Sequence, residues 1–226
     1  MISKGFIVID FSMERVFLST AYLAPVSYYI QLFRFPQIYV ERYEYYKKQS
    51  YRNRCNIIGA NGILPLSVPI IKPDSPNTPI CDIRVSDHGN WQHLHWNAII
   101  SAYNSTPYFE YYQDDFAPFF EKVPAFLFDF NEQLRETVCE LLDIHPQITC
   151  TDKYQSEFLP EDADFRDIIH PKQKHTDEVL NFVPAEYYQV FSRKFGFIAN
   201  MSILDLLFNM GPESIFILKE SISKNK

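Results

Sequence analysis

The stretch Val16-Phe17-Leu18-Ser19-Thr20-Ala21-Tyr22-Leu23, then Ala24-Pro25, then residues 26–35 and 37–42, decides the fold class. Residues 16–23 are apolar and β-prone enough to predict a strand. Ala24-Pro25 breaks it, and Pro25 suits the first position of a helix, where its missing N–H costs nothing. Residues 26–35 carry Tyr29, Leu32 and Phe33 at helical spacing. Residues 37–42 predict a second strand. Strand, helix, strand in that order predicts a βαβ unit and a parallel pair.

Working outward, residues 52–58 and 63–70 flank Gly59-Ala60-Asn61-Gly62, a hairpin signal. Pro65 and Pro69 fall on one side of the second run, as an edge strand tolerates. Residues 72–79 hold three prolines and read as a surface loop. Residues 81–86 alternate, with Cys81, Ile83 and Val85 on one face, and predict another strand. Asn90 is a good N-cap for a helix over 91–103, with Leu94, His95, Ala98, Ile99 and Ala102 on its apolar stripe. A short helix over 116–122, capped by Asp114 or Asp115, and a longer one over 127–142 follow. Residues 145–151 return as a strand, and 159–178 read as a long polar loop. Ser202-Ile203-Leu204-Asp205 is a capping box, Gly211-Pro212 stops its helix, and residues 215–218 predict a last strand. The expected architecture is a single α/β domain over 1–226. It has a mixed, mostly parallel sheet with flanking helices and an antiparallel hairpin. The first 17 residues read as an N-terminal extension.

The chain has 226 residues, with 15 Tyr and 20 Phe against 6 Gly. That aromatic load supplies a sizeable core and excludes a disordered chain. No window is apolar for the roughly 18 residues a membrane span needs. The apolar opening over residues 5–11 is short and no small-residue cleavage site follows, so the expected location is cytoplasmic. A net charge of −7 disfavours nucleic acid as a partner. The basic density peaks over 42–54, where Arg42, Lys47, Lys48, Arg52 and Arg54 oppose only Glu44. A basic strip in an acidic chain points to a small anionic ligand. Cys55, Cys81, Cys139 and Cys150 form no Cys-x-x-Cys pair, so no zinc ribbon is expected.

If residues 52–58 are a strand, Arg52, Arg54 and Asn56 share one face and Cys55 and Ile57 the other. Two guanidinium forks pointing outward together suit a phosphate or carboxylate. The alternative is a solvated strand edge kept soluble by charge. In Asp87-His88-Gly89-Asn90-Trp91-Gln92-His93-Leu94-His95, Trp91 and His95 are four apart and share a helix face. His93 and His95 are two apart and do not, so a metal site built from both is not expected. His95 on the apolar stripe reads either as a hydrogen-bonded core histidine or as a general acid–base. His93 takes the latter role if the helix is rotated. Tyr22 and the start of the first helix would stand at the carboxyl ends of the strands, where α/β sheets bind ligands. There is no Gly-x-Ser-x-Gly elbow, Walker A loop or Gly-x-Gly-x-x-Gly fingerprint, so no cofactor is expected. The βαβ opening is loosely like that of nucleotidyltransferases, which use paired histidines near the first turn. This chain has no His between Met1 and Asp87.

An ordered set of short stretches carries a family resemblance. It comprises residues 18–29 around Tyr22 and Pro25, Tyr51-Arg52-Asn53-Arg54, and Leu66-Ser67-Val68-Pro69-Ile70. Gly89-Asn90-Trp91 with His95 and residues 103–109 complete it. Their order and spacing from Leu18 to Glu213 resemble the WbqC-like protein family. The resemblance implies a connection with bacterial surface-polysaccharide (O-antigen) production. It also implies a transferase role, acyl or aminoacyl with glycyl among the candidates, on a sugar-linked substrate. The expected site is then Arg52, Arg54 and Asn56 on the anion, Tyr22 and Trp91 on the sugar, and His95 or His93 as base. A non-enzymatic binding or scaffold protein of the same system is the alternative, and a homo-oligomer is left open.

Overall fold

The computed structural model describes residues 13–172 and 179–222. The expected N-terminal extension lies mainly outside the described residues, as do residues 173–178 of the expected long loop. The chain opens with strand β1 (Arg15–Ser19), helix α1 (Val26–Arg34) and strand β2 (Gln37–Glu41). β1 and β2 pair in parallel, with Val16 opposite Ile38 and Leu18 opposite Val40. Short strands β5 (Ile148–Cys150) and β6 (Asp162–Asp164) complete a four-stranded sheet in the order β5-β2-β1-β6, all parallel. Val16 and Leu18 are wholly buried and Phe17 nearly so. A central parallel strand is expected to carry an apolar run, and Val16-Phe17-Leu18 supplies it.

α1 starts one residue later than the proline reading predicts, because Pro25 is extended and serves as the N-cap. It ends at Arg34 because Pro36 forces the preceding Phe35 out of helical geometry, to φ −88° and ψ 134°. The helix is buried from Val26 through Leu32, packed between the sheet and two late helices, α6 (Ile203–Met210) and α7 (Ser214–Glu220).

Strands β3 (Arg54–Gly59) and β4 (Gly62–Ser67) form the antiparallel hairpin around a two-residue loop, Ala60-Asn61. Gly62 sits at φ 106°, where a side chain would strain the turn. The remaining core is helical. α2 (Trp91–Tyr103) occupies the predicted span, α3 covers Phe109–Phe116, α4 covers Leu127–Leu141, and a short α5 covers Ser192–Phe195. One continuous apolar core joins the sheet, the hairpin and the helices. The fold is a mixed α/β domain: a parallel four-stranded sheet, flanking helices and an antiparallel hairpin.

Several expectations are corrected. Residues 15–17 belong to the central strand and not to an appendage. The long polar loop contains β6, which pairs with β1 through the backbone ladder and an Arg15–Asp162 ion pair at 2.6 Å; Asp162-Ala163-Asp164 has one apolar side chain and no alternation to read. Residues 80–82 form a single 3-10 turn, and within 83–85 only Arg84 and Val85 make isolated bridges, although Ile83 and Val85 are buried as the alternation predicts. Asp114 and Asp115 cap nothing, because α3 begins at Phe109 and carries both inside its last turns. Leu94 is 60% exposed, off the buried stripe of α2. Residues 215–218 are helical: β-branched residues there pack Ile217 and Leu218 inward as part of α7, and packing overrides propensity. Ser202 caps α6 as predicted, its hydroxyl accepting from the Leu204 amide. Asp205 does not close the box, since its carboxylate accepts from Tyr187 and Gln189.

Candidate functional site

Open parallel sheets present ligand sites beyond the carboxyl ends of their strands. Here that edge is a network of charge. β2 ends at Glu41, which is wholly buried. Its carboxylate accepts from the Tyr43 amide (2.9 Å), the Thr151 hydroxyl (2.7 Å), the Gln155 amide (2.9 Å) and the Arg166 guanidinium (3.0 Å). Arg166 follows β6 and also grips Asp164 through two nitrogens, at 2.7 and 2.8 Å, and the Gln155 carbonyl at 2.9 Å. Its guanidinium lies against the rings of Tyr154 and Phe158, 5.1 and 4.8 Å from their centroids. Burial works against its charge, but Asp164 outweighs that and holds its pKa above the ordinary arginine value.

β1 ends at Ser19, whose hydroxyl accepts from Arg52 at 2.7 Å. Arg52 is 2% exposed and forms a two-point ion pair with the equally buried Glu44, one contact at 2.8 Å. Lys47 donates to Asp167 at 2.6 Å, and Arg52 stands 3.6 Å from the same carboxylate. Partial burial pushes Asp167 up, yet Lys47, Arg52 and Arg166 prevail and hold it below the usual carboxylate range. His170 shares this surroundings; partial burial, then the positive charge of Arg52, lowers its pKa, so the imidazole is neutral at neutral pH.

Above the network opens a pocket of about 210 Å³, lined by Tyr43, Glu44, Tyr45, Lys47, Tyr154, Arg166 and Asp167. Tyr45 and Tyr154 are more than half exposed. Aromatic faces beside fixed charged donors and acceptors suit a sugar ring bearing polar substituents. A wider, open cleft of about 680 Å³ lies across the sheet face, with the stacked Phe17 and Tyr39 rings (4.9 Å) among its lining. Residues 152–158 contribute to both hollows, so the loop pinned by Arg166 is their common wall.

The sequence-predicted residues divide into four groups. Arg52 alone reaches the strand edge. It does not share an outward face with Arg54, because residue 52 lies in the turn before β3, where strand alternation does not apply, and Glu44 and Ser19 draw it inward. Arg54 and Asn56 are half-buried on the hairpin, where Arg54 donates to Ser67 across the strands (3.1 Å) and Asn56 lies opposite Pro65. Tyr22, Trp91 and His95 do meet, but in the core. The Tyr22 hydroxyl lies 2.9 Å from His95 Nδ1, and the Trp91 and His95 rings are edge to face at 5.1 Å. Burial lowers the His95 pKa to about 4, only partly opposed by a hydrogen bond to the Ser67 backbone. His93 faces outward on α2 beside Asn97.

Sequence reading missed Glu41, Glu44, Asp164 and Arg166. Glu41, ending a correctly predicted parallel strand, carried a usable signal; Arg166 carried none once β6 was unread. Leu23, between Tyr22 and α1, sits at φ 42°, a conformation bulky side chains avoid, and is held by Ser202 donating to its carbonyl at 2.8 Å. Among the described residues, no three His, Cys, Asp or Glu side chains gather in a way that could hold a metal ion, and no helix is long and apolar enough to cross a membrane.

No curated protein and no solved structure matches the chain. The resemblance read from the sequence extended to Glu213, whereas the family match stops short of α6. The model for the WbqC-like protein family matches residues 21–179, which run from the turn after β1 through the whole charged edge, and the chain belongs to that family.

Proposed function

We propose that the protein is an acyl- or aminoacyl-type transferase of bacterial surface-polysaccharide assembly, acting on an anionic or nucleotide-linked sugar. The observation that carries the reading is the pocket at the carboxyl ends of the parallel strands, where three tyrosines surround Lys47, Arg166 and Asp167. The tyrosine faces take the C–H surface of the sugar, and Lys47, released from Asp167, takes its negative group. In the transfer, a sugar hydroxyl or amine attacks the acyl carbon of a thioester or ester donor. The new C–O or C–N bond forms as the donor's thiolate or alkoxide leaves. His170, outside the pocket lining but close enough to feel the charges of Arg52 and Asp167, is the neutral imidazole assigned to accept the nucleophile's proton and return it to the leaving group. Arg52 and Arg166 are positioning residues, and the Tyr22–His95 pair with Trp91 braces the turn that precedes α1.

The second reading, a non-enzymatic binder in the same system, is favoured by one observation: the imidazole expected to be the base, His95, is sealed in the core and engaged by Tyr22. A thermal-shift series decides whether the pocket binds, because a ligand that prefers the native state raises Tm. UDP-N-acetylglucosamine is expected to raise Tm in the intact protein and not in Lys47→Ala or Tyr154→Ala, both surface changes. No rise, or an equal rise in both variants, removes the pocket from the reading. Mass spectrometry of the sugar incubated with acetyl-coenzyme A or glycyl thioester then separates transferase from binder. Acylated sugar formed by the intact protein and lost in His170→Gln supports transfer; binding without product supports the second reading.

A further inference from the structure

A third hollow lies away from the strand edge, in the histidine-rich segment the proposed function leaves unused. It is a groove of about 340 Å³ between the first turns of α2 and the 3-10 turn Ala117–Phe120. Gln92, His93 and Trp96 line it together because positions three and four apart share a helix face. Trp96 rests on the buried Phe120 ring, stacked at 5.5 Å and 20°, which fixes the indole in place. Asn90 and Glu121 stand at the margins.

Gln92 is the informative residue. Its side chain lines the groove, is 8% exposed, and has no hydrogen-bond partner among the described residues. Its amide oxygen and nitrogen reach the solvent of the groove, where a ligand can meet them. His93 adds a defined donor. The Asn97 amide nitrogen, which can only donate, lies 2.8 Å from His93 Nε2, so Nε2 accepts and the ring proton sits on Nδ1. The groove therefore offers amide donors and acceptors, an imidazole N–H, a carboxylate and an indole. None of its lining residues is Lys or Arg, and Glu121 repels anions. Groups that both donate and accept, carried on a ring with an apolar face, match this set; those are the hydroxyls of a neutral pyranose.

We infer that this groove is a binding site for a neutral sugar ring, stacked on Trp96 and hydrogen-bonded by Gln92, His93 and Glu121. It is separate from the charged pocket at the strand edge and stands whether or not that pocket binds. A neutral glycan acceptor, or a sugar unit remote from the reacting one, is the class of ligand it takes.

The two indole N–H signals of the full-length 15N-labelled protein give the test. Methyl pyranosides of glucose, galactose, mannose and N-acetylglucosamine are titrated in turn, with tetramethylammonium chloride as a cationic control. At least one pyranoside is expected to move the Trp96 signal saturably while the Trp91 signal, from a ring buried and bonded to the Ser86 carbonyl, stays put. Gln92→Leu, of similar size and apolar, keeps the fold and is expected to weaken that binding about tenfold. Glu121→Gln weakens it less. The inference is overturned if no pyranoside moves Trp96, if Gln92→Leu binds as well as the parent, or if only tetramethylammonium binds and Glu121→Gln abolishes it, which would make the groove a cation site.

Discussion

The phenol of Tyr22 and the imidazole of His95, 73 positions apart, meet at 2.9 Å in the core. The phenol lies at Nδ1 of the ring, and the Ser67 backbone favours the protonated imidazole only enough to oppose part of the effect of burial. Burial holds the phenol protonated and the imidazole neutral, so the contact is a neutral hydrogen bond between two groups removed from water. It ties the turn after β1 to α2. Tyr22→Phe leaves a buried ring nitrogen unmatched and is expected to lower stability by about 1–3 kcal/mol, measured by urea unfolding. An unchanged midpoint would show that the pair contributes nothing.

His95 and Asp205 should impose opposite pH dependences. The folded pKa of His95, about 4, lies below the roughly 6.5 of an unfolded chain. The unfolded state therefore binds more protons between those values, and stability is lost as pH falls from 6.5 to 4. Asp205 is raised by burial to about 6, against roughly 3.9 unfolded. The folded state there binds more protons, and stability is lost as pH rises from 4 to 6. The two partly cancel. His95→Gln is expected to expose a falling stability curve across pH 4–6 and Asp205→Asn a rising one, each differing from the parent by on the order of 3 kcal/mol over its window. Parallel curves for parent and variants in chemical denaturation would contradict this.

Arg52 and Glu44 are both buried and paired, 2% and 4% exposed. Removing one partner strands the other's charge, so Arg52→Met is expected to cost about 3–5 kcal/mol. The double change Arg52→Met with Glu44→Met should recover most of that loss. A double variant no more stable than the single one would mean the cost lies in packing and not in the stranded charge.

Arg166 grips Glu41, Asp164 and the Gln155 carbonyl at once. Lysine keeps the charge but not the planar fork. Arg166→Lys is expected to loosen residues 152–158, with the Gln155 amide, now bonded to Glu41, exchanging its hydrogen about tenfold faster or more. Exchange at the parent rate would show that Tyr154 and Phe158 hold the loop without it.

Gly211 ends α6 at φ 55°, and a Cβ there would lie 2.4 Å from the Tyr108 ring. Gly211→Ala combines backbone strain with a clash, so a loss of roughly 2 kcal/mol or more is expected in thermal unfolding. Tyr108→Ala in the same chain should restore part of it by clearing the space.

The sequence by itself determined the βαβ opening, the hairpin about Ala60-Asn61, the span of α2, and the stop at Gly211. In each, the signal is local: apolar periodicity, a proline that fixes φ, a glycine that permits positive φ, an N-cap hydroxyl. It also brought Tyr22, Trp91 and His95 onto surfaces able to meet, because helical spacing places Trp91 beside His95. Only the tertiary structure decided which charged residues share an environment. Arg52 faces inward because Glu44, eight residues earlier, is folded back against the end of β1. Arg166 reaches Glu41 only because β6 docks on β1 through its backbone ladder and the ion pair of Arg15 with Asp162, 147 positions away, which no local pattern announces. Periodicity reports which face of an element is apolar; it is silent on which distant element that face, or its end, is brought against.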